Sequence, residues 1–212
     1  MRPTAKLLAV TKPTVDFLDN GEDLIEYAGR WDYGPKSVAK MGDPGIIGRW
    51  IDAGEESMLE MVDAVFLVEC SRVVSHELVR HRIASYQQES QRYVEYTEGD
   101  DLFFVPPGLT EDQRYAFETA MRLSFSTYRS LRDEGIKKQI ARYVLPNATR
   151  TRIVVKMNLR EWRHVIRLRI HKSAQPEMRE VMEQIFATLL FEFPQVFESL
   201  EREIESGKRS SR

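Results

Sequence analysis

The densest group of chemically capable side chains lies between residues 80 and 93, where Arg80, His81 and Arg82 precede Ser85, Gln87, Gln88, Glu89, Ser90, Arg92 and Tyr93. Forked guanidinium donors beside amides and hydroxyls suit recognition of phosphates and base edges better than core packing. His76 and His81 are five apart, not at the four-residue spacing that puts two ligands on one helix face, so no metal site is expected. Neither a GxGxxG nor a GxxxxGK loop occurs, which assigns any bound phosphate to side chains. Cys70 ends an apolar run and reads as a buried, inert thiol, and Ser90 has no evident base, so covalent catalysis by either is not expected.

A second basic segment, residues 150 to 172, carries 8 Lys/Arg against 1 Asp/Glu, whereas residues 1 to 70 carry 7 against 13. At about 100° per residue, a helix from Leu159 to His171 places Arg160, Arg163, His164, Arg167 and His171 on one stripe. The opposite arc holds Trp162, Val165, Ile166 and Leu168, with Arg169 in its middle. An arginine there either pairs with a core carboxylate or meets an anionic or imide-bearing ligand. The stripe reads first as a solvated surface or one for acidic partners; with Arg150, Arg152 and Lys156 just upstream, a phosphate-binding face for nucleic acid or a phosphorylated cofactor is the alternative.

Flanking these segments, strands are expected at Lys6–Val10, Met61–Cys70 (buried on both faces), Phe103–Val105 and Thr149–Met157. Helices are expected over 23–30, from an Asp43 cap with Pro44 at its first position to a stop at Gly54, and over 71–82. Thr110 opens a long helix to about Gly135, and a short one ends at Pro146. Two more span 159–172 and 176–204, the latter bent at Pro194, while 83–101 reads as a long ordered loop. The sum is an α+β fold, a mixed or antiparallel sheet with a helical majority, as one catalytic domain over 1–204 and a flexible tail over 205–212.

The 212 residues are 42% hydrophobic and 30% charged with net charge -2, enough apolar content for a core and too little bulk charge to coat nucleic acid or an anionic membrane. The only apolar run near the start, LLAV, is too short for a signal core or a membrane span. One cysteine excludes an internal disulfide and fits a reducing cytoplasm.

The stretch RHRIASYQQESQRY, Arg80 to Tyr93, resembles the RHR, seven residues, Ser signature of flavin-dependent thymidylate synthases, reinforced by ESMLE at 56–60, ARYVLP at 141–146 and MNLREWRHVIRLR at 157–169. The resemblance covers essentially the whole chain. It implies reductive methylation of dUMP to dTMP with 5,10-methylenetetrahydrofolate, FAD and NADPH, in a homotetramer with sites shared between subunits. It implies FAD contacts from Ser57, Arg80, His81, Arg82, Ile83, Gln88, Asn158, Arg160 and His164. It implies dUMP contacts from Glu77, Arg80, Gln88, Glu89, Ser90, Arg92 and Arg142, with Arg169 as the catalytic cation at uracil N3. Glu55 and Met61 stand where some members carry histidines, and Glu77 where others carry glutamine. On this reading no nucleic acid and no membrane is a partner. A nucleic-acid module using the 160–171 stripe, and a flavoprotein with altered electron donor or acceptor, are the competing readings.

Overall fold

The computed structural model describes residues 1–96 and 102–207. Alternating burial in two long strands sets the architecture. In β2 (Asp63–Ser71) Ala64, Phe66, Val68 and Cys70 point into the core, and in β4 (Arg150–Asn158) Thr151, Ile153, Val155 and Met157 do. They pair antiparallel from Asp63 opposite Asn158 to Ser71 opposite Arg150. β1 (Thr4–Val10) adds to β2 through a bulge between Leu7 and Ala9, and β3 (Ser85–Gln88) adds to β4, for an order β1-β2-β4-β3.

Helices bury one face of this sheet, giving two layers around one main core. α7 (Leu159–Arg169) leaves β4 directly, capped by Asn158, whose side-chain oxygen accepts from the Glu161 N–H at 2.8 Å. Its Trp162 packs edge-on against Phe66, centroids 5.3 Å apart, and donates its indole N–H to the Ala64 carbonyl at 3.0 Å. α8 (Pro176–Glu192) and α9 (Pro194–Glu205) complete the layer with Met178, Val181, Ile185, Leu189, Val196 and Phe197. α1 (Gly21–Trp31), α2 (Pro35–Val38) and α3 (Ile46–Asp52) close the end near β2's start. A smaller cluster of Tyr96, Phe125, Tyr128 and Ala141 lies beneath α5 (Glu111–Asp133) and α6 (Lys138–Ala141).

Several expectations are corrected. α3 starts at Ile46, not after an Asp43 cap, because the Gly42 and Asp43 N–H groups donate to the buried Glu26 carboxylate at 3.1 and 3.2 Å while the Asp43 side chain accepts from Arg49 at 2.6 Å. β2 is fully buried on one face and half-buried on the other, as an antiparallel sheet with one helical layer requires. The helix after it, α4 (Arg72–Leu78), is shorter than the expected 71–82. Its terminal carbonyls are met by the Tyr86 hydroxyl, 2.6 Å from Leu78 O and 2.7 Å from His81 O, so Arg80, His81 and Arg82 sit on a turn rather than a helix.

The segment expected to be a loop from 83 contains β3, whose polar sequence hides its pairing, and residues 97–101 of that expectation lie outside the described residues. Phe103–Val105 reduces to a single bridge, Phe103 to Thr149. The last helix is two, broken at Phe193 because Pro194 has no N–H to continue the ladder. Of the expected tail, Glu205 closes α9 and residues 208–212 lie outside the described residues.

Candidate active site

The turn that carries Arg80 to Ile83 is fixed from three sides. At the start of α4, Ser71 donates its N–H at 2.7 Å and its hydroxyl at 2.8 Å to the buried Glu177 carboxylate of α8. Burial pushes the Glu177 carboxyl above the usual carboxylate range, against the Ser71 hydrogen bonds, which pull it down. The Gln88 amide donates to Ser75 at 2.9 Å and to Thr151 at 3.1 Å, tying α4 to the sheet edge. Gln88, expected on the cofactor and nucleotide, therefore spends its amide nitrogen inside the chain.

His81 is the one member of the Arg80–Arg82 triplet that turns inward, 8% exposed. Its Nε2 accepts from Arg169 Nε at 3.1 Å, its Nδ1 lies 4.0 Å from Glu161 Oε1, and its ring meets His164 edge-on at 6.4 Å. Burial first, then the Arg169 and His164 charges, pull its pKa down to about 4, so the ring is neutral near pH 7. Arg169 also donates from Nη1 to Glu77 at 3.0 Å. The two alternatives open for Arg169 are thus joined: it has its carboxylate, yet its side chain stays 26% exposed with an edge left for a ligand. Glu77, expected to touch the nucleotide, bonds Arg169, which is expected there too.

The basic stripe of α7 is not free. Arg160 donates to Glu60 at 2.5 Å, Arg167 to Glu203 at 2.9 Å, and Arg163 is buried against Glu56 and the Val196 carbonyl. By contrast, Arg80, Arg82 and Arg142 have no carboxylate partner among the described residues, and Arg92 lies over the Tyr93 ring at 5.5 Å. Glu89 approaches Arg152 at 3.7 Å, and the Ser90 hydroxyl accepts from the Arg92 N–H at 3.2 Å, shaping the turn. Lys138 of α6 donates to the Tyr93 carbonyl at 3.2 Å, which brings the Arg142 segment to the same side.

Ser57 and Arg160 lie apart from the triplet, in a cleft of about 390 Å³ with Tyr33, Trp50, Glu55 and Glu56 on its wall. Tyr33 stacks on Trp50 at 6.4 Å and donates its hydroxyl to Glu55 at 2.9 Å. Asn158, at the same end of α7, spends its carbonyl oxygen as the helix cap. One chain therefore presents the expected residues as two groups, and Arg80, Arg82 and Ile83 point to solvent rather than into this cleft. Sequence reasoning missed Glu161 and the Tyr33–Trp50 pair, and it placed Arg163 on the basic stripe without its burial. Only Glu161 had a visible signal, as the single acid in the basic 150–172 run.

Among the described residues no three His, Cys, Asp or Glu side chains form a metal-ligating group, and no helix is long and apolar enough to cross a membrane.

The four-stranded antiparallel sheet with its helical layer defines an α+β protein, with an arginine-rich turn beside a paired Arg169. The chain belongs to the thymidylate synthase complementing protein family, which it matches over residues 14–195. It is 41% identical over 166 residues to the flavin-dependent thymidylate synthase of Thermococcus kodakarensis, covering 74% of this chain and 67% of that protein. The Mycobacterium marinum protein of the same name is 38% identical over 207 residues, 86% of this chain and 81% of that one. The fold matches the UMP/dUMP methylase PolB of Streptomyces cacaoi, solved with 5-Br dUMP, with a TM-score of 0.80, 24% identity, and coverage of 94% of this chain and 95% of that chain.

Proposed function

We propose that the chain is a flavin-dependent thymidylate synthase, converting dUMP to dTMP with 5,10-methylenetetrahydrofolate as one-carbon donor and releasing tetrahydrofolate. When bound, FAD supplies the hydride, replenished from NADPH. The observation that carries this reading is the division of the arginines. Those of α7 are matched by carboxylates, while Arg80, Arg82 and Arg142 are left for anions, so a phosphate ligand has a place and an extended nucleic-acid track does not.

The residues fit the flavin. Exposed Arg80 and Arg82 suit its diphosphate, and the 66%-exposed Ile83 offers apolar cover. Ser57, Arg160 and the remaining donors of Asn158 serve the second group, and His164 serves the flavin from beside His81. Arg92 and Arg142 hold the nucleotide phosphate, with Ser90 and Glu89 shaping the turn beneath it. Arg169 presents its remaining N–H edge to uracil N3 and a neighbouring carbonyl oxygen. A fixed cation there stabilises the negative charge that must build on the ring for C5 to attack a one-carbon electrophile, since no cysteine is placed to add at C6. Cys70 is buried and its thiol pushed far up by that burial.

The separation of the two groups, and the exposed Ile83, Tyr93 and Tyr143 beside unpaired arginines, support a homotetramer in which neighbouring subunits complete each site. Residues 1–204 act as one catalytic domain, and a cytoplasmic location suits the reduced Cys70. Incubation of the purified protein with dUMP, methylenetetrahydrofolate, FAD and NADPH, omitting each in turn, tests the reading. dTMP should form only in the complete mixture. Formation without folate, or none in the complete mixture, would overturn it.

A further inference from the structure

Arg169 is held at two points, and one of them depends on a proton two atoms away. An arginine Nε–H can only donate, so the His81 Nε2 it meets at 3.1 Å must be an unprotonated acceptor. A neutral imidazole then carries its proton on Nδ1, and that N–H needs a partner in a place where His81 is 8% exposed. The carboxylate on that side is Glu161, whose side chain is 10% exposed and whose Oε1, at 4.0 Å, is beyond direct hydrogen-bond length but close enough for its charge to orient the N–H.

We propose that Glu161 is a positioning residue: it holds His81 as the Nδ1-protonated neutral imidazole, which leaves Nε2 to fix the Arg169 guanidinium for the nucleotide. The proposal rests on the reading of Arg169 given above. Nothing in the resemblance assigns Glu161 a role.

The charged groups around the ring agree. From α7, the His164 and Arg169 charges oppose a second proton on the ring, and the Glu161 carboxylate stands on its Nδ1 side. From α4, Glu77 neutralises the far side of Arg169 at Nη1. The Asn158 cap on the Glu161 N–H fixes the backbone from which this side chain departs at the start of α7. With Glu77 on Nη1 and His81 on Nε, the guanidinium plane is set, and Nη2 has no hydrogen-bond partner among the described residues. The opposite tautomer would set two donors against each other and release that second anchor.

Long-range proton–nitrogen NMR of the ¹⁵N-histidine-labelled holoprotein reads the tautomer directly. Only four histidines are present, and the His81 signals are those lost in His81→Gln. At pH 7 the wild type and Glu161→Gln should show Nδ1-protonated His81, because a glutamine oxygen also accepts. Glu161→Ala should shift the population toward Nε2-protonated ring and lower kcat for dTMP formation about tenfold, with Glu161→Gln within about twofold of wild type. A wild-type His81 protonated on Nε2, or an unchanged tautomer in Glu161→Ala, would overturn the proposal whatever the activity. A shifted tautomer with unchanged kcat would overturn the role of Arg169 and leave Glu161's hold on His81 standing.

Discussion

Arg163 is the most deeply buried charge of the helical layer, and replacing it by methionine gives a sharp test of how the cleft is held. It is 2% exposed, bonded through Nη1 to the Val196 carbonyl and through Nη2 to Glu56 at 3.5 Å, while its Nε lacks a partner. Burial lowers its pKa and Glu56 raises it again. Arg163→Met keeps the buried stem but strands Glu56, whose side chain is 23% exposed and lines the cleft. Removing one partner of a fully buried pair costs about 3–5 kcal/mol, and partial access of water to Glu56 reduces this to about 2 kcal/mol.

Urea denaturation at pH 7 and fixed protein concentration should show that loss, or a fall of about 4–8 °C in Tm for a chain of this size. Adding Glu56→Gln removes the stranded charge and should restore about half of it. An Arg163→Met protein within about 0.5 kcal/mol of wild type, or strictly additive double-mutant losses, would refute the reasoning.

Acidity acts on His81 with a defined sign. Its folded pKa of about 4 lies below the ordinary 6.5, so its neutral form contributes about 3 kcal/mol above pH 6.5, lost as pH falls toward 4. The stability gap between wild type and His81→Gln should therefore narrow on acidification between those values, and a gap that widens would contradict the burial of a neutral ring. In Gly29→Ala the new Cβ would stand 2.7 Å from the Trp50 ring, which must then move, together with the stacked Tyr33, in the cleft. A stability loss of about 1–3 kcal/mol and weaker FAD uptake are expected, measured by denaturation and flavin titration.

Where side-chain pattern and backbone need coincide, the sequence was legible. The two-faced run from Leu159 announced α7, and the strand expected at Thr149–Met157 is β4 to within one residue at each end. The β3 strand was not, because SYQQ has no apolar alternation and is recruited by the exposed edge of β4 rather than by its own burial. The end of α4 was equally hidden, since it depends on a hydroxyl from Tyr86, eight residues beyond Leu78.

At the site, the misplaced Arg169 was visible from helix geometry alone, and its resolution was not. Both partners, Glu77 and His81, lie about 90 positions earlier, and only tertiary contact reveals them. The same holds for the stripe. A helical wheel shows five basic residues on one face, but the carboxylates that answer three of them come from residues 56, 60 and 203.

The central claim, that Arg169 is a fixed cation acting on the uracil ring rather than a flavin ligand or a structural tie, is tested most directly by Arg169→Ala. The purified variant should keep the visible flavin spectrum of the wild type while dTMP formation with dUMP, methylenetetrahydrofolate and NADPH falls by about a hundredfold or more. A variant that retains full dTMP formation would contradict the account.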